Sequence, residues 1–430
     1  MSRGPRAAAC ALAALVALIA GIVLVAGTGA PPGSATDRPD ASDGPHRTAS
    51  GVSREVSARA ALASLVTAWA DGDRARFVDS AADTAPAAAR AAATWRGLTR
   101  LDVQRWNLRY VRAAVPAPGS LADSTAVVEA TWSQRGWQAP ATARVTVDLA
   151  QPRTAGEGAG VLAVRGAPGS PMPLWALHSR SVHMENGRAV VVLPGGASEQ
   201  RVGSLARQVT RARAQVNAVV PGSGTSGRPL VVVAPRSTAQ FARVLGQSPD
   251  TYAGIAAVTT TVDGSSRATA PVHVVLNPDV FAGLSPVAAQ VVLTHEVTHA
   301  MTNAAAGGLP LWVAEGFADH VALRDSGVPA RLAASQALAP TRRHGPPRTL
   351  PSPEAFAVGS PGLGRAYEQA WLVFRLLDHR YGEKVPVAFY RAVLGGRPVD
   401  EALRATTGAG LGDLIARWRA QLTRLARADG

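Results

Sequence analysis

The chain has 430 residues, a formal net charge of +14 and 47% apolar residues, enough for two or three folded units with cores of their own. Its only cysteine, Cys10, excludes an internal disulfide framework. The basic residues are scattered and are not interleaved with aromatic residues, so the charge does not indicate a nucleic-acid-binding function. Lys384 is the only lysine, and this preference for arginine is typical of GC-rich bacteria such as actinobacteria.

An uncharged apolar run occupies residues 7–27 and is long enough to span a bilayer as a helix. Arg3 and Arg6 precede it and no acidic residue does, a pattern that places the N-terminus in the cytoplasm and the remainder outside. A cleaved signal peptide is the alternative, but Pro31 obstructs cleavage at the one suitable small-residue site. The sequence therefore predicts that residues 1–30 are an uncleaved anchor with a single membrane span.

Two further segments precede the strongest motif. Residues 31–53 are rich in Pro, Gly, Ser and Asp without apolar periodicity, which predicts a flexible linker. Residues 54–195 begin with helical patterns and continue with alternating segments, and Asn186-Gly187 is typical of a β-hairpin turn. This order resembles the NTF2-like domains, which are α+β cones. Five tryptophans in this block are interpreted as sheet core, with a ligand pocket as the alternative: Trp95, Trp106, Trp132, Trp137 and Trp175.

The sequence His295-Glu296-Val297-Thr298-His299 carries the clearest functional signal. Positions i and i+4 share a helix face, so both histidines can bind one metal ion while Glu296 points toward water on that ion. Glu315 lies in a second apolar segment and completes a His, His, Glu set, which catalytic zinc sites use with a fourth position left for water. Ser285-Pro286 predicts the start of the motif helix. Two surface histidines beside a solvated glutamate are the alternative interpretation.

The motif and the later Trp312-Val313-Ala314-Glu315-Gly316 together resemble the gluzincin clan of metallopeptidases. The resemblance is greatest to its small bacterial members, the peptidase MA-like or minigluzincin group, and it covers residues 198–430. It implies a zincin-like fold in which three residues bind Zn²⁺ and one is the general base. The implied ligands are His295, His299 and Glu315, and the implied base is Glu296.

The same resemblance implies two supporting residues. Asp319 stands four residues after Glu315, where larger gluzincins have a carboxylate that orients the first zinc-binding histidine. Tyr367 is the candidate for stabilising the oxyanion, by analogy with tyrosines or histidines of gluzincin sites, and a core aromatic residue is the alternative. The chain departs from many members by having Ala314 where they have Asn, so no hydrogen-bond partner is predicted for His299.

The surroundings of the site are also implied. The strand predicted at residues 271–276 resembles the rim strand against which an extended substrate pairs, and its His273 is interpreted as an ordinary strand residue. His320, next to Asp319, is interpreted as a packed or solvated residue. The Pro- and Gly-rich stretch 331–364 predicts a long loop at the rim of the site.

The sequence thus predicts an α+β protein with an N-terminal transmembrane helix, an NTF2-like unit and a gluzincin unit. The predicted function is that of a membrane-anchored, extracytoplasmic zinc metallopeptidase acting on peptide or protein substrates of the cell envelope. The alternative is an envelope binding or scaffold protein whose peptidase-like unit holds zinc without catalysis. Neither the substrate nor the oligomeric state follows from the sequence.

Overall fold

The first part of the chain folds into helices and a four-stranded antiparallel sheet of order β1-β2-β3-β4. The computed structural model describes residues 49–151, 159–177, 179–184, 189–194, 196–223, 229–267, 269–304 and 308–427. The elements of this part are α1 (Ala49–Ala70), α2 (Arg74–Asp79), α3 (Ala85–Arg100), β1 (Val103–Ala114), β2 (Ser124–Gln134), β3 (Ala141–Ala150) and β4 (Gly160–Gly166). Along β3, Val145 and Val147 are buried and Arg144 is exposed, which gives the sheet an apolar face for the helices.

The tryptophans form part of the core of this unit, as predicted. Trp175, in a 3-10 turn, makes T-shaped contacts with Trp106 and Trp132 at ring centroid distances of 5.4 and 6.1 Å. Trp95 and Trp137 are partly buried and pack against the same cluster.

A five-stranded mixed sheet follows, in the order β5-β6-β7-β9-β8. Its strands are β5 (Ser179–Met184), β6 (Ala189–Pro194), β7 (Leu230–Val233), β8 (Ala257–Thr261) and β9 (Val272–Leu276). β6, β7 and β9 are parallel, whereas β5 and β8 pair antiparallel at the two edges. Asn186-Gly187 lies outside the described residues, but Met184 pairs with Ala189 across it, so the predicted hairpin forms. This hairpin, which the sequence placed in the first unit, belongs to the second sheet.

The second sheet is covered on both faces. Val191, Val232 and Val274 point into a core shared with the C-terminal helices. Val231 and Val275 point into the core of the first unit. Because successive strand residues face opposite sides, β6, β7, β8 and β9 each contribute to both cores. β6 and β7 accordingly read as continuous apolar runs, which is typical of strands in doubly covered sheets.

Eleven helices accompany the second sheet in the described part of the chain, and they form most of its C-terminal half. They are α4 (Glu199–Val219), α5 (Thr238–Leu245), α6 (Pro278–Ala282), α7 (Pro286–Thr302), α8 (Leu311–Arg324), α9 (Ala330–Ala333), α10 (Ser335–His344), α11 (Leu363–Tyr381), α12 (Lys384–Leu394), α13 (Val399–Thr407) and α14 (Leu411–Arg427). The prediction of one long loop over 331–364 is wrong, because α10 forms despite Pro340 within it. Pro340 disfavours a helix here, but the burial of Ala337 and Leu338 against neighbouring elements stabilises it.

The predicted fold class and location need correction at the N-terminus. Residues 7–27, the predicted transmembrane helix, lie outside the described residues. Among the helices that are described, none combines the length and apolar character needed to cross a bilayer. The fold class is therefore corrected to α+β without a transmembrane helix among its elements, and the predicted single-pass membrane location is not supported. The predicted linker 31–53 is also too long, since α1 already begins at Ala49.

Helices α8 and α11 approach closely at Gly316. A Cβ atom on this residue would lie 2.5 Å from the main-chain oxygen of Ala370. We expect Gly316→Ala to lower the free energy of unfolding by about 1–3 kcal/mol, because the overlap forces the two helices apart. Chemical denaturation followed by circular dichroism measures this change.

The matched control for that substitution is Gly412→Ala in α14. Nothing lies within 4 Å of a Cβ placed on Gly412. The added methyl group should leave the stability unchanged or raise it by up to about 1 kcal/mol through higher helix propensity. Equal effects of the two substitutions would contradict the proposed close packing at Gly316.

Candidate metal centre

The motif lies on α7, whose start is confirmed at the predicted residues. Ser285 caps the helix by accepting a hydrogen bond from the amide of Ala288, and Pro286 occupies the first turn. Every residue from Val291 to His299 is buried, because α7 packs against the second sheet and against α4 and α8. The helix ends at Asn303, whose left-handed conformation (φ 56°) terminates it.

The next helix, α8, brings the predicted carboxylates to the histidines. Oε2 of Glu315 lies 3.0 Å from Nε2 of His295 and 3.2 Å from Nε2 of His299. The two Nε2 atoms are 2.9 Å apart. All three side chains are at most 1% exposed. Three potential ligand atoms therefore converge on one point, and this group could hold a metal ion.

Asp319 holds one of the two rings in place. Its Oδ1 lies 2.7 Å from Nδ1 of His295, on the side of the ring away from Glu315. We assign the proton of this hydrogen bond to Nδ1, which leaves Nε2 facing the other ligand atoms. The predicted contact between Asp319 and the first histidine is thus present. In contrast, Nδ1 of His299 has no hydrogen-bond partner among the described residues.

Glu296 lies on the same helix but contacts a different element. The hydroxyl group of Thr259, on β8, donates to Oε2 of Glu296. The other carboxylate oxygen, Oε1, is buried and has no partner among the described residues. Burial raises the pKa of Glu296, although the two histidines and Thr259 act in the opposite direction. A carboxylate with a raised pKa and a free oxygen is suited to accepting a proton.

Tyr367, on α11, borders the same group. Its ring centroid is 6.2 Å from that of His295, and the ring of Phe356 packs against it edge-on at 5.3 Å. Burial raises the pKa of Tyr367 well above its ordinary value, and the charge of Glu315 and a hydrogen bond to it act in the same direction. The hydroxyl group is therefore neutral at neutral pH and donates a hydrogen bond to Glu315.

The strand that forms the edge of the sheet is not the one that the sequence predicts as the rim strand, residues 271–276. β9, which carries His273, is an inner strand, and β8 forms the edge of the sheet. His273 is buried beside Trp137, and burial lowers its pKa to about 3, so it is a neutral packed residue. Thr259, which contacts Glu296, is a site residue that the sequence does not predict. A threonine within a buried strand has no sequence pattern that would distinguish it from its neighbours.

The pKa values of the ligand residues are set by their neighbours as well as by burial. Burial alone lowers the pKa of His295, but Asp319 and Glu315 outweigh it and raise this pKa to about 10. Burial alone raises the pKa of Glu315, but the two histidines hold it at about 2. The contribution of His295 to stability is thus complete below its ordinary pKa of 6.5 and is lost as the pH rises through 10. The contribution of Glu315 is present above 4.5 and is lost as the pH falls through 2.

A prediction about metal binding follows from these charges. A histidine nitrogen binds a metal only when it is unprotonated, so His295 must lose its proton when an ion enters. We expect binding at pH 7 to release about one proton and the apparent affinity to rise with pH. Calorimetric titration in two buffers of different ionisation enthalpy measures the proton count. A buffer-independent enthalpy would show that no proton is released.

Comparison with known proteins adds no assignment. No family model matches the chain, and no curated protein matches it in sequence.

Proposed function

We propose that the chain is a zinc-dependent metallopeptidase of the gluzincin type, acting on peptide or protein substrates. The observation that carries the proposal is the convergence of His295, His299 and Glu315, with Glu296 held beside them on the motif helix. Three protein ligands and an adjacent carboxylate are the set that hydrolytic zinc sites use.

Zinc is the metal that suits this donor set. Two imidazole nitrogens and one carboxylate oxygen are typical zinc ligands, with bond lengths of about 2.0–2.2 Å. In a tetrahedral site such bonds separate ligand atoms by about 3.3–3.6 Å. The observed separations of 2.9, 3.0 and 3.2 Å are shorter, so the three atoms would move apart by a few tenths of an ångström to bind zinc. When bound, zinc supplies Lewis acidity toward a carbonyl oxygen and toward water.

The protein's own groups supply the proton transfers. Oε1 of Glu296 accepts a proton from the attacking water and returns it to the leaving amine. Asp319 holds the ring of His295 in the orientation that ligation requires. Tyr367 exchanges its contact with Glu315 and then donates to the negative charge that develops on the substrate oxygen, a role that its neutral hydroxyl group supports.

One observation favours a second candidate, a binding or scaffold protein that holds zinc without hydrolysis. His295 is 0% exposed, and His299 and Glu315 are each 1% exposed. Hydrolysis therefore requires a movement that admits substrate, whereas a structural zinc ion requires none. Against this candidate, structural zinc sites usually have four protein ligands, and only three converge among the described residues.

The two candidates are separated by an unbiased cleavage assay. The purified chain, loaded with zinc, is incubated with a peptide library, and the products are identified by mass spectrometry. We expect about one zinc per chain, and cleavage that stops after chelation and returns after zinc is added again. One zinc per chain without cleavage of any peptide would favour the binding protein. The absence of tightly bound metal after reconstitution would contradict both.

A further inference from the structure

The hydroxyl group of Thr259 has two acceptors, and both belong to Glu296. It lies 2.5 Å from the carboxylate Oε2 and 3.0 Å from the main-chain oxygen. Thr259 is 1% exposed and lies in the middle of β8, where it pairs with Val274 of β9. The contact therefore joins the edge strand of the second sheet to the motif helix, from residues 37 positions apart in the chain.

A glutamate carboxylate needs such a contact if its orientation is to be defined. The last torsion of a glutamate side chain is broad, so the two oxygens exchange places readily unless one is held. The hydrogen bond from Thr259 holds Oε2. Oε1 is then the buried oxygen that has no partner in the described residues.

We propose that Thr259 is a positioning residue that holds Oε2 of Glu296, so that Oε1 is the oxygen that exchanges a proton with the reacting water. This inference depends on the proposed peptidase function. The branched side chain suits the task, because a β-branched residue in a strand has a restricted first torsion angle. The hydroxyl group is thus fixed by the strand backbone and not by the mobile side chain that it orients.

The simpler role for Thr259 is structural, a buried hydrogen bond that attaches β8 to α7. A neighbouring residue provides the control for this role. Thr261 lies on the same strand and the same side, is 3% exposed, and donates to the main-chain oxygen of Ser265 at 2.7 Å. Thr261→Val removes a buried hydroxyl hydrogen bond from β8 without any contact to Glu296.

The test compares Thr259→Val, Thr259→Ser and Thr261→Val with the wild type, using a peptide that the wild type cleaves. We expect Thr259→Val, which keeps the side-chain shape, to lower kcat by about 10–100-fold with KM and zinc content unchanged. Thr259→Ser keeps the hydroxyl group and should retain kcat within about threefold, and Thr261→Val should match the wild type. A wild-type kcat in Thr259→Val would overturn the proposal. So would equal losses of kcat in Thr259→Val and Thr261→Val.

A second readout does not depend on activity. Crystal structures of the zinc-loaded wild type and Thr259→Val should show the Glu296 carboxylate turned away from β8 only in the variant. An unchanged orientation would overturn the positioning role even if kcat fell. If the wild type cleaved no peptide, the proposed function would fail, and the two crystal structures would still decide whether Thr259 orients Glu296.

Discussion

Glu296→Gln is expected to keep the zinc content of the wild type and to lower kcat by about 10²–10⁴-fold. Glutamine has nearly the same shape and can still accept from Thr259, but it cannot take a proton from water at neutral pH. Glu296 is not one of the three converging residues, so the metal group remains intact. Steady-state kinetics on a peptide identified by library cleavage, combined with elemental analysis, measures both quantities.

The control for this substitution is Glu368→Gln on α11. Glu368 is also buried, its Oε2 accepts a hydrogen bond from the amide of Ala337, and it is not one of the three converging residues. Its pKa is raised to about 8, chiefly by burial, so it is largely neutral at pH 7 and its replacement by an amide should be mild. If Glu296→Gln cleaved peptides as fast as the wild type, the assignment of Glu296 as the base would be incorrect.

The second large effect is expected from loss of a ligand. His295→Ala, His299→Ala and Glu315→Ala should each weaken zinc binding by roughly 10²–10³-fold. A zinc-binding free energy of about 10–16 kcal/mol corresponds to about 2.5–4 kcal/mol for each of the four ligand positions. Because about 1.4 kcal/mol changes an affinity tenfold, the loss of one ligand gives a change of this size. Competition with a chromophoric chelator measures the affinity of each variant.

His344→Ala is the control for the ligand substitutions, because His344 is exposed at the end of α10 and is not one of the three converging residues. It should bind zinc as the wild type does. Equal affinity in the wild type and all three ligand variants would mean that zinc binds elsewhere. Stability must be measured alongside, since removing His295 also leaves Asp319 buried without its partner.

The local part of the candidate site could be predicted because helical spacing is short-range. His295 and His299 are four residues apart on α7, and Glu315 and Asp319 are four residues apart on α8. Residues at that spacing share a helix face, so each pair was expected to point in one direction. The contacts between the two pairs required only that the two helices pack side by side.

The contacts between distant parts of the chain could not be predicted, because strand pairing is not determined by local spacing. Which strand forms the edge of the second sheet depends on the pairing of β8 with β9, and neither strand has a pattern that distinguishes edge from interior. The contribution of Thr259 follows from that pairing. Likewise, the sequence predicts the β5–β6 hairpin from its turn residues. It does not predict the parallel pairing of β6 with β7, because the whole of α4 lies between these two strands in the chain.

The membership of β5 and β6 in the second sheet has a consequence for dividing the chain into fragments. A fragment that begins at residue 198 would lack both strands and would leave the edge of β7 without its partner. The same fragment would lack the first part of the chain, against which Val231 and Val275 pack, so these two side chains would be exposed to solvent. Such a fragment should aggregate when expressed alone, whereas residues 49–427 should remain soluble under the same conditions. The first part of the chain thus covers one face of the sheet against which the motif helix packs.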